Sequence, residues 1–129
     1  MPHLYSCPVS CGFPSPADDY LEHPLDLNEL LIKKPAATFF VRAKGDSMIQ
    51  AGIFEGDILI IDRSLQARSG QIILAIINGE FTLKRLLIKT ETGTPLLQAA
   101  NPKYAPIEIT ESMDFQVWGV AVHCIHKLL

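Results

Sequence analysis

The sequence predicts a mostly β fold, a compact body of antiparallel strands and short helical turns preceded by an extended N-terminal arm. Three observations carry that expectation. From Phe39 onward, runs rich in Val, Ile, Leu and Phe alternate with breaks centred on glycine and asparagine. One break, Asn78-Gly79, joins two apolar runs and is a strong hairpin signal. The first 38 residues, by contrast, hold six of the nine prolines (Pro2, Pro8, Pro14, Pro16, Pro24 and Pro35) and little hydrophobic period.

Residues 1–38 therefore read as an arm and 39–129 as the β-rich body. Within the arm, Asp26 precedes Leu27 as a helix cap, with Glu29 three residues on. Leu27, Leu30 and Leu31 would share one face, and Pro35 would end a helix of about two turns. In the body, strands are expected over Thr38–Ala43, Asp57–Asp62, Gln71–Ile77, Phe81–Lys89, Pro95–Ala99 and Phe115–Leu128. A short helical turn is expected over Met48–Ala51, with Gly52 closing it.

Composition narrows the classes of function. With 48% hydrophobic and 19% charged residues, the chain can build one core. A net charge of -3 argues against direct DNA binding, which calls for a basic surplus. No apolar run reaches the length of a membrane span, and the first ten residues lack the charged and apolar regions of a secretory signal. Three cysteines are not a disulfide framework, so a reducing, cytoplasmic setting is expected.

The chemistry centres on Lys44-Gly45-Asp46-Ser47-Met48, where a strand ends and a helical turn begins. Ser47 there is either a plain N-cap or a nucleophile beside unpaired N–H groups suited to an oxyanion hole. Lys84 lies mid-strand, with Thr82, Leu86 and Ile88 on its own face. Arg85 alternates with it on an equally apolar face, so periodicity leaves open which side is buried. A lysine can serve as base to a serine only when burial makes its neutral amine accessible. Histidine is the commoner base, but His3, His23, His123 and His126 show no obvious acidic orienter. His3, Cys7 and Cys11, or His123, Cys124 and His126, could be read as loose metal sets; the proline-rich arm would present the first poorly. No metal or other cofactor is expected.

Gly45-Asp46-Ser47-Met48, Gly52-Ile53, Glu55-Gly56-Asp57 and Asn78-Gly79-Glu80-Phe81-Thr82-Leu83-Lys84-Arg85 together resemble the LexA-type self-cleaving serine peptidases. Asn101-Pro102-Lys103-Tyr104-Ala105-Pro106-Ile107 and Val117-Trp118-Gly119-Val120 fit the same pattern. Within that family the chain is most similar to the UmuD/MucA branch, over Ser10 to Leu129. The resemblance implies that Ser47 is the nucleophile, Lys84 its base, and the N–H groups of Asp46 and Ser47 the oxyanion donors. It places the self-cleavage at Cys11–Gly12, where a small side chain and a glycine admit close backbone approach. Cys11-Gly12 alone would read as a flexible turn. Residues 12–38, fully extended, could span up to ~90 Å, so reach does not prevent the arm from entering a site on its own body or on a partner.

The resemblance further implies a homodimer, stimulation by a RecA filament on single-stranded DNA, and service as accessory subunit to a Y-family, UmuC-like error-prone polymerase. The dimer seam is expected along Phe115–Ile125, apolar on both faces. Only eleven residues precede the expected cut, fewer than the branch suggests, and there is no room before the arm for a repressor's helix-turn-helix. A signal peptidase would need a membrane anchor. The alternative from another class is a non-catalytic β module that only docks on a polymerase.

Overall fold

The computed structural model describes residues 2–5, 9, 11–12 and 21–129. The chain divides into two compact units, Met1–Lys33 and Lys34–Leu129. In the first, β1 (His3–Tyr5) pairs antiparallel with β2 (Leu21–Pro24), His3 opposite Pro24 and Tyr5 opposite Leu21. Strands of three and four residues flanked by prolines are too short for alternation to announce them. Helix α1 covers Leu27–Leu31, and the Asp26 carboxylate accepts the Asn28 N–H at 3.0 Å as the cap. It is shorter than expected. Ile32 is already extended, and Pro35 opens a separate 3-10 turn, Pro35–Ala37, instead of ending one helix.

The second unit is built on one seven-stranded antiparallel sheet. Its strands are β3 (Thr38–Arg42), β4 (Ile58–Asp62), β5 (Ile72–Ile77), β6 (Glu80–Ile88), β7 (Pro95–Gln98), β8 (Ile107–Glu108) and β9 (Phe115–Ile125). They lie in the order β3-β4-β9-β5-β6-β7-β8. The hairpin at Asn78-Gly79 has both residues left-handed, φ +49° and +83°, the requirement of the tight turn that matches strand twist.

Strand β5 is buried on both faces. Ile73 and Ala75 pack with Leu86, Leu97 and Val120, whereas Leu74 packs with Met48, Ile53, Leu59 and Ile61. Each fully buried Ile or Leu contributes about 1.5–3 kcal/mol. Met48 belongs to the second cluster at 3% exposure, so a core contact fixes the residue next to Ser47.

Two expectations for the second unit are also corrected. The last strand stops at Ile125 rather than Leu128, because His126 turns out of the ladder to place Nδ1 2.6 Å from the buried Asp57 carboxylate. The turn near Ser47 is a 3-10 turn over Ile49–Ala51, with Met48 at its N-cap and no side-chain cap, so Ser47 is not its cap. Gly52 closes it with φ +79°, as the sequence suggests.

Candidate active site

Three backbone features carry Ser47 to the site. The residues after β3 are pinned by Ala43, whose N–H donates to Asp57 O at 2.8 Å and whose carbonyl accepts the Gly56 N–H at 2.9 Å. Gly45 then takes φ +83°, a conformation that disfavours any side chain, and turns the chain. Its N–H donates to the Glu55 carboxylate at 3.1 Å. Met48, sunk in the core, holds the far side. Ser47 stands between these anchors.

Lys84 arrives from β6. Strand β7 pairs only with Arg85–Ile88, so the outer edge of β6 from Glu80 to Lys84 is not covered by β7. Lys84 Nζ donates to Ser47 Oγ at 3.2 Å, to Thr82 Oγ1 at 3.0 Å and to Leu83 O at 3.2 Å. Three acceptors match the three N–H bonds of an ammonium. A neutral amine has two N–H bonds and a lone pair. Thr82 and Leu83 can keep the two bonds, leaving the lone pair for the Ser47 hydroxyl proton. Burial pushes the Lys84 pKa below that of a free lysine. Arg85, the ambiguous neighbour, turns elsewhere and donates to Gly70 O at 2.6 Å.

The pair opens on a cleft of about 370 Å³, walled by Val41, Gly45, Ile53, Phe81 and Trp118 among others. Phe39 and Phe81 meet Trp118 edge-on, and the Arg63 guanidinium lies 4.2 Å from the indole centre. The cleft is thus largely apolar, suited to excluding water from a half-buried amine.

Asp46 faces a different group of residues. Its carboxylate accepts from Tyr104 OH and from Lys103 Nζ, the latter at 3.1 Å, and these bonds hold its pKa below the usual value. Its backbone carbonyl accepts from Asn101 Nδ2 at 2.9 Å. Among the described residues, the N–H groups of Asp46 and Ser47 donate no hydrogen bond. These are the two donors expected for an oxyanion.

Sequence reading missed the working partners of this pair. Thr82 was visible only as a same-face neighbour of Lys84. Asn101, Lys103 and Tyr104 were visible as a motif without a role, because nothing in a linear pattern says which loop they grip.

Cys11 and Gly12 belong to the first unit and are exposed. His3 is exposed too, while Cys7 and the side chain of His23 lie outside the described residues. His123 is exposed at the end of β9. His126 does have an acidic partner, contrary to the sequence reading: Asp57. The Asp57 carboxylate also accepts the Phe54 N–H at 2.8 Å and the Cys124 thiol at 3.4 Å. Burial and Asp57 push the Cys124 pKa up to about 11. That thiol is a poor nucleophile. Among the described residues no group of three His, Cys, Asp or Glu side chains is arranged to hold a metal ion. No helix among them is long and apolar enough to cross a membrane.

A family model described as Peptidase S24-like matches residues 3–122. Protein ImpA of Escherichia coli is 42% identical over 132 aligned positions, covering 96% of this chain and 83% of the relative. Protein SamA of Salmonella typhimurium is 45% identical, covering 94% of this chain and 81% of the relative. Protein MucA of Escherichia coli is 40% identical, covering 91% and 79%.

Proposed function

The chain belongs to the peptidase S24-like family, and we propose that within it Ser47 and Lys84 form a dyad that cuts the chain's own Cys11–Gly12 bond. The observation that carries the reading is Lys84 Nζ, half-buried and 3.2 Å from Ser47 Oγ, with two further acceptors to hold it when neutral. The Lys84 amine takes the Ser47 proton as Oγ attacks the Cys11 carbonyl carbon. Negative charge builds on the carbonyl oxygen and meets the N–H groups of Asp46 and Ser47. As the tetrahedral intermediate collapses, Lys84 returns the proton to the Gly12 nitrogen and the C–N bond breaks. Water, deprotonated by the same amine, then releases Cys11 from Ser47.

Likeness to the UmuD-type proteins supports the wider setting of SOS mutagenesis in the cytoplasm. A RecA filament on single-stranded DNA stimulates the cut, and the trimmed chain serves a UmuC-like, Y-family error-prone polymerase. The protein works as a homodimer and does not itself bind DNA. Both edges of β9 are taken by β4 and β5, so a dimer seam there uses exposed side chains such as Val122 and Ile125 rather than strand addition.

N-terminal sequencing after exposure to an activated RecA filament tests the reading. The expected product begins at Gly12. No product, or one that begins elsewhere, contradicts it.

A further inference from the structure

We infer that Asn101 is a positioning residue that aims the Ser47 N–H into the cleft by fixing the peptide plane between Asp46 and Ser47; this rests on the Ser47/Lys84 reading above. Asn101 follows β7 and is only 7% exposed. Its Nδ2 donates to the Asp46 carbonyl at 2.9 Å, a closer bond than the 3.4 Å one that the same oxygen accepts from the Ile49 N–H. A trans peptide is planar, with its C=O and N–H pointing in opposite directions. Holding the Asp46 carbonyl therefore directs the Ser47 N–H away from Asn101. Gly45 and Ser47 line the cleft, but neither Asp46 between them nor Asn101 does. The carbonyl is held from behind, and the N–H is left toward the cleft.

Asn101 is itself held. Its Oδ1 accepts the Lys103 N–H at 3.0 Å, and its carbonyl accepts the Tyr104 N–H at 3.1 Å. From the same loop, Lys103 and Tyr104 grip the two Asp46 carboxylate oxygens. Ala100 adds two bonds. Its carbonyl accepts the Gln50 N–H at 2.8 Å, and its N–H reaches Met48 Sδ at 3.4 Å. The loop thus ties down the chain on both sides of Ser47. An oxyanion donor lowers a barrier only if it already points at the developing charge. A peptide held only by the longer Ile49 bond would lose that aim while Ser47 and Lys84 stayed in contact.

The test is Asn101→Ser in the full chain. A serine can keep a local bond to the Lys103 N–H but is too short to reach the Asp46 carbonyl. Two rates are followed across pH: labelling of Ser47 by a small fluorophosphonate, and formation of the Gly12–Leu129 fragment. Both are expected to fall ~10–100-fold, the scale of a weakened oxyanion donor, with the midpoint of the pH profile unmoved. Tyr104→Phe, a change at an exposed side chain, should lower labelling by a smaller factor. Wild-type labelling in folded Asn101→Ser overturns the inference; so does a shifted midpoint, which would mean that Asn101 acts through Lys84. Should Asn101→Ser not fold, wild-type labelling in Tyr104→Phe overturns it instead. A wild-type Ser47 that takes no label removes the dyad and the inference together. Normal wild-type labelling without a Gly12 fragment rejects only the assigned bond, and loss of label in Asn101→Ser then still supports the clamp.

Discussion

Lys84 Nζ and Ser47 Oγ, 37 residues apart in sequence, stand 3.2 Å apart in space. No carboxylate lies at ion-pair distance from that amine among the described residues. Burial therefore acts on Lys84 without a compensating opposite charge, and its neutral form becomes easier to reach.

Removing either member should abolish self-cleavage and spare the fold. Ser47→Ala and Lys84→Ala are expected to slow Gly12–Leu129 formation by at least ~10³-fold, as for groups that act as a unit. Mass spectrometry of the incubated proteins reads the fragment, and thermal melting checks the fold. A fragment from either variant at the wild-type rate contradicts the dyad.

Thr82→Val keeps shape and strand preference but removes one acceptor from the Lys84 ammonium. That acceptor favours the charged form, so its loss lowers the Lys84 pKa further and moves the pH–rate midpoint downward. The amine also loses a tether, and the plateau rate should fall about tenfold. An upward shift of the midpoint would show that Thr82 does not serve Lys84.

At the assigned bond, Gly12→Val should block cleavage, because a branched Cβ obstructs backbone approach to Ser47. Cys11→Ala should cut at close to the wild-type rate, since smallness rather than a thiol is needed. The opposite pair of outcomes, read by the same mass measurement, would relocate the bond.

Gly119 in β9 has no room for a side chain. A Cβ there would lie 2.5 Å from Ile61 Cγ2 and 3.3 Å from the Asp62 carbonyl oxygen. Gly119→Ala should therefore cost about 1–3 kcal/mol through overpacking of the central strand. Urea unfolding measures it, and an unchanged midpoint with unchanged slope would contradict the contact.

The body strands were legible because β4, β5, β6 and β9 are long, apolar and punctuated by glycine, and Asn78-Gly79 fixes the β5–β6 register. The β1–β2 pairing and the two-residue β8 were not, since too few residues alternate in each. The end of β9 is not legible because Ile125 and Leu128 extend the apolar pattern, and only the buried Asp57 reveals that His126 leaves the ladder. At the site, periodicity could put Thr82 beside Lys84 but could not choose between the faces of Lys84 and Arg85. That choice is made in three dimensions, by a hydroxyl at one end and the Gly70 carbonyl at the other. The grip of Asn101, Lys103 and Tyr104 on Asp46 spans more than fifty residues of sequence and left no periodic signal.

The central claim, that a half-buried lysine is the base, is tested most directly by the rate of Gly12–Leu129 formation without activator, from about pH 6 to about pH 10. Only the neutral amine can take the Ser47 proton, and its fraction rises tenfold per pH unit below the folded-state pKa. Because burial lowers that pKa, the log rate should climb with a slope near one and level off below ~10.4, the value for a free lysine. A histidine base would level off near pH 6–7. A rate already flat by about pH 7 would contradict Lys84 as the unassisted base and direct attention to His123 or His126.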